Sequence, residues 1–315
     1  MARPTVAMNE ETMTTPLKFG LLGTGHWARE VHAAGLAAAP EAEFVGVWGR
    51  NAGKATEVAQ RYGVRAFDDV DDLLAQVDAV SVALPPDVQA PLAAQAATAG
   101  RHLLLDKPLA LSVQDADAVV RAADHAAVAS RVFFTRRFQP EVETWLTEAA
   151  GTEWHGATAI WFGAINRPGN PYADSEWRKR KGALWDVGPH ALALTLPVLG
   201  PVESVTAVGG LGDTVHLGLR HDGGRASTLS LSLTVPEPAA RSEFRAYGTD
   251  GWATAPGGPL EAVDAYRAAL AQLAGDAEQR ITSHPCDVWF ARQVVVVLAA
   301  AERALETRAA VDVEY

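Results

Sequence analysis

The sequence predicts an α/β protein in two parts: a doubly wound parallel sheet, then an α+β domain on a mainly antiparallel, open sheet. Three observations carry this expectation. Short apolar runs alternate with helix-compatible segments from residue 17 to about residue 135. The first apolar run ends in Gly23-Thr24-Gly25-His26-Trp27-Ala28. After about Arg136 the chain changes to strand-like runs joined by glycine-bearing turns.

Phe19, Leu21 and Leu22 form the first strand. Gly23 allows a sharp turn, and Gly25 lacks a Cβ, so a pyrophosphate can approach the backbone. Ala28 is small enough for the next helix to press on the strand. That helix, running from His26, offers free N–H groups and a positive dipole end to phosphate. A strand over 43–48 follows, then the turn Gly49-Arg50-Asn51 and a helix over 52–62 closed by Gly63. A short strand spans 64–67 and a helix 68–76. Residues 79–84 are an unbroken apolar run, as a strand covered on both faces requires, and Pro85-Pro86 stops it. A helix over 88–99, a strand over 102–105 ending in Asp106-Lys107-Pro108, a helix over 112–127 opened by Ser112 and a strand over 131–135 complete the first domain, residues 17–135.

The second domain, residues 136–315, begins with a helix over 141–150 and a strand over 155–162. Residues 166–180 read as a long polar loop and 182–199 as a helix. Strands follow over 202–209, 214–220, 225–235 and 243–247, with a hairpin signal at His221-Asp222-Gly223-Gly224. Helices over 260–274 and 285–306 and a strand over 311–313 close the chain.

A chain of 315 residues suggests two domains. A net charge of −11 argues against a nucleic-acid partner. The single cysteine, Cys286, forbids an internal disulfide, fits a reducing cytoplasmic setting and reads as a packing residue. Residues 1–16 read as a disordered polar lead-in with no apolar signal segment, and Met13 is an alternative start. The apolar run at 294–301 is too short to cross a bilayer, so no membrane association is expected. No metal site is expected.

Three stretches combine: the turn at 23–28, Asp106-Lys107-Pro108 at the end of a sheet strand, and Gly182-Ala183-Leu184-Trp185-Asp186-Val187-Gly188-Pro189-His190. Together they resemble the glucose–fructose oxidoreductase/inositol dehydrogenase (Gfo/Idh/MocA) family, from about residue 17 to the end of the chain. The resemblance implies an N-terminal Rossmann domain and a C-terminal domain whose open sheet often builds oligomers, here a homodimer or homotetramer. It also implies hydride transfer between a nicotinamide cofactor and a small-molecule sugar, cyclitol or related polyol. The family's corresponding lysine and histidine are catalytic and its aspartate contributes to the site, which carries over to Lys107, His190 and Asp186. Gly23, Thr24, Gly25, His26, Trp27, Gly49, Arg50, Asn51, Leu84, Pro85, Asp106 and Lys107 are the expected cofactor contacts.

The residue chemistry supports these roles. Oxidising a secondary alcohol needs a base for the hydroxyl proton and a cation for the developing alkoxide. His190 suits the first task and Lys107 the second. Asp186 lies four residues before His190, so on one helix the two share a face, and Asp186 could orient the imidazole or contact substrate. Taken singly, the three are ordinary: a strand-end lysine, a helix cap and a core histidine. Their joint occurrence favours an enzyme over the alternative, a non-catalytic dinucleotide-binding regulator. Trp27, Trp161, Trp177 and Trp185 read as packing residues, although Trp177-Arg178 sits in a loop able to cover substrate. The cationic run Arg178-Lys179-Arg180-Lys181 reads as a solvated loop.

Three departures from the family pattern bear on substrate identity. Asp106 stands where a glutamate is usual, the glycine run before the aspartate is reduced to Gly182, and Ala193 replaces an acidic residue often found three positions after the histidine. At the end of the second strand, Trp48-Gly49-Arg50 holds no carboxylate for a ribose 2′-hydroxyl. Arg50 suits a 2′-phosphate, so NADP is expected over NAD. Alternatively Arg50 stacks on adenine and either cofactor serves.

Overall fold

The computed structural model describes residues 15–259 and 261–315. The lead-in with Met13 lies almost wholly outside the described residues, as does Leu260, the expected first residue of a helix.

Six strands build the first sheet: β1 (Leu17–Leu22), β2 (Ala42–Trp48), β3 (Arg65–Phe67), β4 (Ala79–Val82), β5 (His102–Asp106) and β6 (Ser130–Phe133). Their order is β3-β2-β1-β4-β5-β6 and every neighbouring pair is parallel. All four residues of β4 are buried, as helices on both faces demand. The helices keep their expected punctuation. Asn51 caps Ala52–Tyr62 by accepting from the Lys54 backbone N–H at 3.0 Å, and Gly63 ends it at φ 67°. The strand order reverses between β1 and β4, which opens a crevice at their carboxyl ends.

The second sheet is built from β7 (Trp154–Phe162), β8 (Val202–Gly209), β9 (Val215–His221), β10 (Ala226–Ser232), β11 (Arg241–Gly248), β12 (Gly251–Thr254) and β13 (Val311–Asp312). The order is β12-β11-β7-β10-β9-β8-β13. The pairs are antiparallel except β7 with β10, which is parallel. That exception arises because the chain leaves β7 through a helical excursion, re-enters the sheet three positions away at β8, and returns through β9 to β10. Leu229 and Leu231 point to the buried face while Thr228 and Ser230 alternate with them.

The excursion departs most from expectation. A helix, Glu176–Asp186, begins inside the stretch read as loop, and a second, Gly188–Leu199, follows after Val187. The expected single helix over 182–199 is therefore interrupted twice. Gly182 takes φ 62° and ψ −161°, a conformation that breaks the helix and favours glycine. Pro189 lies in the first turn of the second helix, where its missing N–H costs nothing. Residues 176–181 lack an apolar stripe, which is why they read as loop.

The last helices also tie the two parts together. Although it follows the second sheet in sequence, Ala262–Gln279 lies against the first domain: Tyr266 donates to Ser81 on β4 at 2.7 Å, and a Cβ on Gly35 would run into the Tyr266 ring. Arg292 on Val288–Thr307 reaches Asp117 at 2.6 Å. The boundary at 135/136 separates the sheets but not the helices. Among the described residues no helix is long and apolar enough to cross a membrane.

Candidate active site

The turn after β1 assigns its two glycines different tasks. Gly23 sits at φ 139°, and a Cβ there would collide with the Ala83 carbonyl oxygen at the end of β4. Its N–H donates to Trp48 O on β2 at 2.9 Å, so the turn is pinned to both neighbours of β1. Gly25 faces open space, with nothing within 4 Å of a Cβ. The following helix opens with π-type turns over Ala28–Ala33 before the α-helical Ala34–Ala38.

A cavity of about 220 Å³ lies against this turn. Gly25, His26 and Trp27 form one wall, Leu84 and Pro85 another, Asp106 and Lys107 a third, and Tyr172 and Arg178 cover it. The arrangement fits a dinucleotide: the cradle at Gly25 is open and the buried Trp27 Nε1 has no hydrogen-bond partner among the described residues. Gly49, Arg50 and Asn51 stand apart from this cavity, at the end of β2. Gly49 is packed on the Thr24 side chain, Arg50 is exposed, and the Asn51 side-chain oxygen is already committed to its helix cap.

A second cavity, about 230 Å³, adjoins the first through Trp27, Asp106, Lys107, Tyr172 and Arg178. Here the two halves of the chain meet. The Lys107 ammonium donates to Asp186 Oδ1 at 2.9 Å and to the Asp186 carbonyl oxygen at 2.8 Å. Arg178 Nε donates to Asp186 Oδ2 at 2.9 Å. Lys107 and Asp186 side chains are each 10% exposed. His190 lines the same cavity and its ring stacks on Trp161, with centroids 6.1 Å apart and planes at 12°. Lys107, Asp186 and His190 therefore share one chamber. Each Asp186 oxygen is engaged by a cation, no hydrogen bond joins Asp186 to the imidazole among the described residues, and the His190 ring packs on Trp161. The helix from Gly188 has no side-chain cap, which removes the capping role for Asp186.

The cationic run is helical, and only Lys179 and Arg180 of it are solvated. Arg178 lies between Tyr172 at 4.7 Å and Trp177 at 4.5 Å, and Lys181 pairs with Glu302 at 2.8 Å. Arg180 reaches Asp87 on the helix after β4 at 3.5 Å. Sequence alone identified Trp177-Arg178 only as possible cover. The contacts of Arg178, Tyr172 and Trp161 had no local signal, because each depends on a partner on another element.

Burial sets the protonation pattern. By itself it would raise the Asp186 carboxyl, but the Lys107 ammonium and Arg178 guanidinium prevail and hold it well below the usual carboxylate range. Asp106 behaves oppositely: burial pushes it up to about 6 against the pull of Lys107. His190 is driven well below 6.5 by burial and then by Lys107, so the imidazole is neutral at pH 7. The Tyr172 phenol is pushed up to about 12 by burial.

Comparison with known proteins agrees with the fold. Residues 17–134 match the model of the oxidoreductase family with an NAD-binding Rossmann fold, and residues 156–254 match the GFO/IDH/MocA C-terminal domain. UDP-N-acetylglucosamine 3-dehydrogenase from Acidithiobacillus ferrooxidans is 32% identical, across 94% of this chain and 97% of that protein. A solved structure of that dehydrogenase superposes with a TM-score of 0.79 at 25% identity, over 93% of this chain and 99% of that one. GenD2 from gentamicin A biosynthesis, solved in complex with NAD, shares the fold at a TM-score of 0.83 and 23% identity, over 99% of this chain and 100% of its own. The chain belongs to the Gfo/Idh/MocA family of oxidoreductases.

Proposed function

We propose that the protein is an NAD(P)-dependent dehydrogenase or reductase that moves hydride between the nicotinamide and a secondary alcohol or ketone of a sugar, cyclitol or related polyol. The observation that carries this reading is the Lys107–Asp186 pair at 2.9 Å, in a chamber that also holds His190 and adjoins the Gly25 turn. When bound, the nicotinamide ring accepts or supplies the hydride. The chain does the rest. The backbone at Gly25 and the helix N-terminus hold the pyrophosphate. Lys107 stabilises negative charge developing on the substrate oxygen. Neutral His190 takes the hydroxyl proton in oxidation and returns it in reduction. Asp186, kept ionised by its two cations, fixes Lys107 and accepts from a neighbouring substrate hydroxyl. Tyr172 and Arg178 cover the cleft and limit entry of water.

We further propose NADP over NAD, through Arg50, and a homodimer or homotetramer built on the open side of the second sheet, where Val208 and Trp252 are 67% and 58% exposed. The deciding experiment follows nicotinamide absorbance with both cofactors against UDP-N-acetylglucosamine, glucose 6-phosphate, inositols and keto-sugars. The first two enter because similar proteins carry those names. Turnover with a member of the panel is expected. Tight cofactor binding with no turnover across the panel would favour a dinucleotide-binding regulator.

A further inference from the structure

We infer that Gln89 is the positioning residue for the Lys107 ammonium. This rests on the reading of Lys107 as the group that stabilises the substrate oxygen. Gln89 lies on the helix Pro86–Thr98, directly after the Leu84-Pro85 wall of the cofactor-side cavity, and is 1% exposed. Its carboxamide is spent on the turn that carries Lys107. Nε2 donates to Asp106 O at 2.7 Å and to Pro108 O at 3.1 Å, with Leu109 O at 3.5 Å. Oε1 accepts from the Asp106 N–H at 3.1 Å. The Lys107 N–H itself donates to Asp106 Oδ1 at 2.9 Å. The backbone is thus gripped on both sides of Lys107, by one side chain.

Only a group with both donors and an acceptor makes this grip, and a carboxamide has two donors beside its oxygen. The need for it is geometric. Lys107 must reach an aspartate 79 residues away, on the other domain. A small rocking of the turn at the end of β5 swings the long lysine side chain off Asp186 Oδ1 and the Asp186 carbonyl oxygen, and displacements of this order cost turnover heavily. Gln89 therefore ties the direction of Lys107 to the helix that also walls the cofactor chamber.

The test needs no known substrate. The protein is treated with acetic anhydride, and acetylation of Lys107 is measured by mass spectrometry relative to exposed Lys54. In Gln89→Leu the Lys107 to Lys54 ratio should rise about tenfold, because a lysine released from Asp186 swings out of a chamber where its side chain is only 10% exposed and meets the reagent. An unchanged ratio in a folded variant overturns the proposal, even if thermal stability falls. If Gln89→Leu does not fold, Gln89→Glu decides. Its carboxylate faces two carbonyl oxygens at alkaline pH and should raise the ratio. Its protonated form restores one donor and one acceptor at acid pH and should bring the ratio back to that of the parent. A pH-independent ratio equal to the parent's overturns the idea. With an active substrate in hand, Gln89→Leu should lower kcat about 10- to 100-fold with little change in dinucleotide KM. It should add nothing further in a Lys107→Ala chain. Unchanged turnover in Lys107→Ala alone rejects the role of Lys107, an outcome separate from any change in its reactivity.

Discussion

The turn at residues 23–27 and the segment at residues 176–190 face each other across one cleft, yet they are fixed by different means. The turn is set by its own backbone: Gly23 at φ 139° fits only a residue without a side chain, and its N–H is bonded to the adjacent strand. The segment is set from outside. Asp186 is held by Lys107 from the other domain, the His190 ring packs on Trp161 of β7, and the helix between Asp186 and His190 is interrupted at Val187. A wall built locally should fail through conformation, whereas a wall built from distant contacts should fail through charge and position. Each substitution below is a way to break that distinction.

The largest effect is expected where the two walls meet. Lys107→Ala removes the ammonium that holds Asp186 and that is proposed to stabilise the substrate oxygen. Turnover should fall about 10²- to 10³-fold, as for loss of one oxyanion-stabilising group. Cofactor affinity, read by quenching of protein fluorescence, should stay within about threefold, since the pyrophosphate cradle is elsewhere. A matched fall in both would mean that Lys107 holds the dinucleotide and little else.

Next come the two glycines, which separate folding from binding within one turn. Gly23→Ala places a Cβ against the Ala83 carbonyl at a left-handed φ and should destabilise the protein by about 3 kcal/mol in urea unfolding. Gly25→Ala meets nothing in the protein and should leave stability within about 0.5 kcal/mol. Its new methyl enters the pyrophosphate cradle, so dinucleotide affinity should drop about tenfold or more. Equal stability losses in both would remove the division of labour assigned to them.

What the sequence made legible follows the same line. The first sheet, its order of elements and the glycine turn depend on local rules, and they were readable. So was Asp106-Lys107-Pro108, because a charged pair and a proline closing an apolar strand are a local signal. The four-residue spacing of Asp186 and His190 correctly put both in one chamber, but the continuous helix behind that reading does not exist. The parallel pairing of β7 with β10 and the short strand β12 were missed, since strand partners are chosen by contacts far along the chain. Gln89 looks like one polar residue in an alanine-rich helix, and Arg178 like one more surface cation. Only the fold reveals what each touches.

A subtler effect is expected from Arg178, which bears on the second wall alone. Its guanidinium helps hold Asp186 ionised and also pushes His190 down. In Arg178→Met the Asp186 carboxyl and the His190 imidazole should both titrate at higher pH. With the neutral imidazole as the proposed base, activity is present above its pKa and lost as pH falls through it. The acid limb of the kcat/KM profile should lie well below 6.5 in the parent and move upward in Arg178→Met. A limb that stays in place would show that Arg178 serves only to stack on Tyr172 and Trp177.

The smallest effect probes the edge of the locally built wall, where the usual acidic residue after β2 is absent. Arg50 is exposed, so water screens whatever charge it meets. If it pairs with a ribose 2′-phosphate, Arg50→Ala should lower kcat/KM for NADP about fivefold, in the range exposed ion pairs give, and leave NAD unaffected. Equal losses with both cofactors would instead place Arg50 against the adenine ring, which the two share. A strong preference of the parent enzyme for NAD would reject the pairing outright. In that case the missing carboxylate after Trp48 must be replaced by donors or acceptors from another element, and even this first wall would depend on distant parts of the chain.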